Sequence, residues 1–347
     1  MEEDNISTRQ RMVLLFAALL VPAAALPGRL AEAAGGLSWL VPLLCIPAAL
    51  LLCWILGRLG DLPAALRRVW GGFLGGALTL IYSTWCFFLL MLYLKGLVSR
   101  LVLTGAQGFA PVLFAAAALG MALHMARGTR GAFCRGTELF YLVLAVVLGG
   151  ILLLGAFHVE GANLWSAALP TELVGGITPM LGVVSLGALG GLLAGNMESA
   201  PGDNRRRYGW TAAFCAAVFL MTLVVVGRLG APLTAALPAP FFTLVQGLGV
   251  AGMFQRVEGA VAALWVLSDL ALLGLLLFGL RGTVGAVCGA TWGRRILPAA
   301  AMLALLFGVL LRDEAAMGLR GGAAGVNLAL GFLIPAITLL TARLTGR

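Results

Sequence analysis

The chain has 347 residues, of which 61% are apolar and only 11% charged, with a mean hydropathy of +1.03. A soluble globular chain carries roughly 25% charged residues and needs them on its surface, so this composition excludes a soluble protein and makes lipid the solvent for most of the chain. The formal charge of +9, from 23 Lys and Arg against 14 Asp and Glu, reads as a topology signal and calls for no nucleic-acid partner.

A membrane-spanning helix needs about 20 mostly apolar residues. By that measure the sequence predicts ten spans, at 10–34, 37–57, 70–94, 110–127, 137–157, 175–196, 208–228, 257–281, 294–312 and 324–343, with 240–253 as a further short helix that dips in without crossing. The N-terminus begins Met-Glu-Glu-Asp and lacks the basic start of a signal peptide, so the first span is expected to be retained. The first span carries Pro22 and Pro27, each of which removes a backbone donor and clashes with the preceding turn; it is expected to be broken there. The third carries a polar and aromatic cluster at Tyr82, Ser83, Thr84 and Trp85. The sixth has seven glycines and Pro179 within 175–195 and is expected to be locally unwound or very closely packed. The eighth contains Ser268 and Asp269 about eleven residues from its start.

Sorting Lys and Arg by loop places sixteen on the side of the N-terminus and seven on the other, so both termini are expected to be cytoplasmic. The Arg205-Arg206-Arg207 run reads as a solvated part of that signal, with anionic lipid or an acidic partner surface as the other reading. Breaks in the first and sixth of ten helices point to two five-helix inverted repeats, 10–157 and 175–343, in one membrane domain with a site between the breaks. The alternative is that Pro22 and Pro27 are ordinary kinks and that Gly187, Gly191 and Gly195 form a small-residue packing face.

Several short stretches carry a resemblance. Ile6-Ser7-Thr8-Arg9-Gln10, the Leu26-Pro27 break and Leu30-Ala31-Glu32-Ala33-Ala34-Gly35 through Trp39 resemble the start of the spore germination permeases, the B subunits of nutrient germinant receptors. Ala126-Arg127-Gly128 with Arg135 and Glu138-Leu139-Phe140, and Phe254-Gln255-Arg256-Val257-Glu258 with Trp265, resemble the same family around its fifth and eighth helices. The resemblance implies a member of the amino acid, polyamine and organocation transporter superfamily, all-α and polytopic. It further implies a small germinant such as an amino acid, bound in the spore inner membrane, with an A subunit and a lipoprotein C subunit as partners. Family members tend to carry glycine and a hydroxyl before the Leu-Pro, whereas Val21-Pro22-Ala23-Ala24-Ala25 has no hydroxyl, so ligand identity does not carry over.

The candidate ligand-binding residues are Val21, Ala24 and Ala25 at the first break, Ser185, Gly187, Ala188 and Gly190 near the sixth, and Ser268 and Asp269 in the eighth helix. Tyr82 and Trp85 join them because the resemblance implies that the third helix lines the pocket. An acid at mid-membrane costs roughly 2.5–3.5 kcal/mol on insertion scales, so Asp269 is either a ligand or ion contact or an Arg-paired structural acid. Exposed amides at the sixth-helix break suit a carboxylate, and Tyr82 and Trp85 read equally as bundle packing. The pairs Arg256/Glu258 and Arg135/Glu138 read as fixing helix starts, and His124 and His158 stand alone. No H-E-x-x-H, G-x-S-x-G or phosphate-loop motif occurs, so no catalytic role, cofactor or metal is expected. The expected function is a ligand-sensing membrane subunit; the alternative is a Na⁺- or H⁺-coupled amino acid transporter of the same fold.

Overall fold

Ser7 starts the first helix with a capping box: its hydroxyl accepts from the Gln10 amide at 3.2 Å, and the Gln10 side chain accepts from the Ser7 amide at 3.1 Å. From there the computed structural model describes residues 6–103, 108–165, 170–193, 203–248 and 257–346, almost all helical and with no strand among them. We label the main helices α1 (Thr8–Ala24), α2 (Leu26–Ala34), α3 (Ile46–Leu59), α4 (Leu62–Leu103), α5 (Ala110–Arg127), α6 (Arg130–Ala156), α7 (Pro170–Val184), α8 (Asp203–Leu229), α9 (Val257–Cys288), α10 (Ala290–Leu310), α11 (Asp313–Leu328) and α12 (Ile334–Leu344). A short helix at Pro240–Gln246 falls within 240–253, where one was expected, and another at Ala231–Ala236 precedes it; residues 249–253 lie outside the described residues.

The protein is an all-α polytopic membrane protein. Among the described residues nine helical stretches are long and apolar enough to cross a membrane, where ten were expected. The difference lies at the first segment. It divides at Ala25 into helices of 17 and 9 residues, and α2 continues through Gly35–Leu40 and Val41–Leu44 toward α3 as one apolar stretch, Leu26–Leu59. The break is narrow: Pro22 stays inside α1, Pro27 sits in the first turn of α2, and only Ala25 leaves the helix.

The sixth segment breaks differently. At Ser185 the α-helix tightens into a 3₁₀ segment, Ser185–Leu193, a winding usually confined to short pieces. Its glycines serve close approach: a Cβ on Gly182 would lie 2.9 Å from the Ala324 Cα, and one on Gly176 would lie 2.8 Å from Val41 Cγ2. Gly195 lies outside the described residues.

The hub of the bundle is α9. In its apolar stretch 72% of residues are buried, against 28–56% in the other eight spans. It packs on α1, α4, α5, α6, α10 and the Ser185–Leu193 segment. Small residues make this possible: Gly274 lies against the Phe133 ring and Gly282 against the Leu192 carbonyl. The Ser83 hydroxyl bonds the Thr283 hydroxyl at 2.8 Å, and Arg281 caps the end of α5 by donating to the Ala126 and Gly128 carbonyls at 2.8 and 2.9 Å. On the far side, α11 passes into α12 through a π-helical turn, Ala329–Leu333, that presses Gly331 onto Ser185.

That contact is testable. A Cβ on Gly331 would lie 2.1 Å from the Ser185 carbonyl oxygen, so Gly331→Ala is expected to lower stability by about 1–3 kcal/mol. Gly149→Ala, whose Cβ meets nothing within 4 Å, is expected to raise it by about 0.5–1 kcal/mol. Thermal unfolding of the purified protein in detergent compares the two, and equal melting temperatures would refute the contact.

Candidate functional site

Asp269 is 1% exposed and sits on the hub helix. Its Oδ1 accepts from an Nη2–H of Arg100 on α4, forming a salt bridge, while its buried Oδ2 has no hydrogen-bond partner among the described residues. The carboxylate lines a cavity of about 140 Å³ together with Val21, Ala24 and Ala25 at the first-segment break, Gly96, Ser99 and Arg100 on α4, and Trp265 on α9. Phe241 stacks on Trp265 with ring centroids 5.2 Å apart and forms part of the same wall. A second lobe of about 90 Å³ shares Val21, Ala25, Gly96, Arg100 and Arg320 and adds Arg29, Tyr93, Pro179 and Asn327.

The cations are arranged by one glycine. A Cβ on Gly96 would lie 3.1 Å from Nη2 of Arg320 and 3.3 Å from Nη1 of Arg100, so the two guanidinium groups lie side by side over its bare backbone. With Arg29, the two lobes hold three arginines against one carboxylate. The chemistry is that of a small polar solute: guanidinium forks suit a carboxylate, and the free Asp269 oxygen suits a donor such as an ammonium group.

The structure does not bring the sequence-predicted residues together in one place. Val21, Ala24, Ala25 and Asp269 line the first cavity. Ser268, fully buried beside Asp269, donates instead to the carbonyl of Ala17 in α1. Tyr82 and Trp85, packed edge to face at 5.7 Å, line neither lobe: the Tyr82 hydroxyl donates to the Leu330 carbonyl in the π-helical turn, and the Trp85 indole donates at 2.9 Å to Oδ1 of Asn327, a residue that does line the second lobe. Ser185 and Ala188 are fully buried, Gly190 packs against Leu15 and Arg11, and Gly187 lines a separate pocket with Arg11 and Arg207. The two breaks therefore do not share one cavity. The sixth segment contributes Pro179, Gly182 and Val183, which precede its break, to the second lobe.

Glu138 lies 3.7 Å from the Arg9 guanidinium and accepts from the Gln10 side chain at 3.5 Å, joining α6 to the start of α1. Phe254, Gln255 and Arg256 lie outside the described residues, as do the side chains of Val257 and Glu258. Sequence reasoning missed Arg100, Arg320, Arg29 and Tyr93. The usable signal was spacing, since Tyr93, Gly96 and Arg100 recur at helical intervals on one face. No protein-family model matches the chain, and no curated protein matches it.

Removing one partner of a buried ion pair leaves the other uncompensated. Arg100→Ala is expected to destabilise the protein by about 3–5 kcal/mol, and the double variant Arg100→Ala/Asp269→Ala is expected to be more stable than the single one. Thermal unfolding of the pair decides: a double variant less stable than Arg100→Ala would show that the two groups do not depend on each other.

Proposed function

We propose that the protein is a membrane-embedded binding protein for a small amino acid or a similar solute, held between the break after α1, the end of α4 and the middle of α9. The observation that carries this is the Asp269 carboxylate, whose residue lines the cavity while its buried Oδ2 has no hydrogen-bond partner among the described residues. A buried charged oxygen left unmade is costly, and a ligand ammonium group would complete it while the ligand carboxylate meets the neighbouring arginines. Resemblance to the spore germination permeases supports the further reading of a germinant-receptor subunit in the spore inner membrane. In that reading, solute binding shifts a conformational equilibrium read by the A subunit and the lipoprotein C subunit. Termini on the cytoplasmic side and a five-plus-five inverted repeat belong to the same reading.

The second reading is a secondary transporter of amino acids. A broken first helix beside an intramembrane acid favours it, since such sites serve coupled transport elsewhere. Uptake of solute by proteoliposomes holding this chain alone separates transporter from receptor subunit.

Binding itself is measured by thermal shift of the purified protein with the standard amino acids. At least one is expected to stabilise the wild type, and Asp269→Asn is expected to weaken its apparent affinity by about tenfold or more, or about 1.4 kcal/mol. Absence of any stabilising amino acid, or equal affinity in Asp269→Asn, would defeat the proposal.

A further inference from the structure

A second pocket, of about 80 Å³, opens between α1, α3, α8 and the start of the Ser185–Leu193 segment. Much of its wall is apolar, including Leu15, Leu19, Leu52 and Phe214, and its described lining contains two cations, Arg11 and Arg207, and no acid. Arg207 closes the Arg205-Arg206-Arg207 run, but it behaves unlike the other two. Arg205 and Arg206 are exposed, whereas Arg207 is only 8% exposed and lies over Gly57, where a Cβ would sit 2.9 Å from its Nη1. Among the described residues its guanidinium has no hydrogen-bond or ion-pair partner.

A buried guanidinium without an acceptor is unfavourable unless something supplies one. The pocket is large enough for that group. A water needs about 10–15 Å³ of such space and benzene occupies a cavity of about 150 Å³, so 80 Å³ takes an anion of a few heavy atoms and not a hydrocarbon chain. The surroundings indicate where the anion comes from. Trp210 lines the pocket half-buried. At the same end of α3, Trp54 lies under Arg343 at 4.8 Å and Arg58 at 6.0 Å. Tryptophan and arginine gathered at helix ends mark the headgroup level of a bilayer. Farther along the same two helices, Leu51 and Leu220 are exposed, as chain-facing residues must be.

We propose that this pocket binds the phosphate of an anionic phospholipid, with Arg207 and Arg11 as its cationic contacts and the acyl chains outside against α3 and α8. The site is independent of the cavity at Asp269, so neither proposal rests on the other.

The test uses the purified full chain in mixed micelles with dioleoylphosphatidylglycerol or dioleoylphosphatidylcholine, reading melting temperature and the lipid retained in native mass spectra. Phosphatidylglycerol is expected to raise the melting temperature and remain bound where phosphatidylcholine does not, and Arg207→Gln is expected to weaken its apparent affinity by about tenfold or more. The Arg205→Gln/Arg206→Gln variant, which removes only surface charge, is expected to lose less. Should Arg207→Gln fail to fold, Gly57→Ala, whose Cβ displaces the guanidinium, is expected to weaken retention in the same way. Equal retention of the two lipids, an equal loss in the Arg205/Arg206 variant, or equal stabilisation by inorganic phosphate alone would overturn the proposal.

Discussion

No water reaches the hydrocarbon core of a bilayer to complete an unmade hydrogen bond, so each interruption of a helix in this chain needs a donor from somewhere else in the bundle. The observed partners follow that demand. In α1, which carries Pro22 inside the membrane, the Ser268 hydroxyl donates to the Ala17 carbonyl. At the π-helical turn that joins α11 to α12, the Tyr82 hydroxyl reaches the Leu330 carbonyl. Where α5 and α9 end, Arg281 and Arg67 donate to the Ala126 and Ala286 carbonyls. Many Ser and Thr hydroxyls bond back to the carbonyl four residues earlier in their own helix, whereas each of the bonds above fixes one helix against another far away in sequence.

Asp269 stands out because it obeys this demand only halfway. One oxygen is engaged by Arg100 and the other is not. A purely structural ion pair in a dry interior is stable only when geometry and further hydrogen bonds complete both partners. Here the incomplete acid lines a cavity whose described lining holds more arginines than acids. That imbalance distinguishes the cavity from the Tyr82–Trp85 cluster, where the two polar groups have partners inside the protein. Side-chain polarity alone does not separate a ligand contact from a structural one; an unmade bond on a residue that lines a cavity is the stronger sign.

The all-α membrane class was legible from composition, and 110–127 was legible to the residue as α5. The breaks were legible too, because proline and clustered glycine act on the backbone locally. The limits of the third segment were not: apolar content falls after residue 94, yet α4 runs to Leu103 with Lys95 only 9% exposed. Hydropathy ends a helix where charge begins, and here the charge is inside. Arg100 therefore looked like a loop cation, and its pairing with a carboxylate on another helix left no trace along the chain. Serine and tyrosine show the converse. Ser268 and Tyr82 have the chemistry of ligand contacts, yet both donate to carbonyls of other helices, since which way a hydroxyl turns depends on the neighbouring helices and not on its own segment.

The arrangement around α1 bears on how the protein works. Leu19 lines the pocket at Arg207 and Val21 lines the cavity at Asp269. At about 100° per residue these two positions point roughly 200° apart, so α1 is a partition with one cavity on each face. Leu20, between them, is 1% exposed, and Ser268 holds the partition from the side of the hub helix through the Ala17 carbonyl. A protein that only senses solute needs the cavity at Asp269 and small movements of its wall. One that transports it must tilt or slide α1, and the Ser268–Ala17 hydrogen bond would then have to open in every cycle, leaving the fully buried Ser268 hydroxyl without that acceptor unless another moves in.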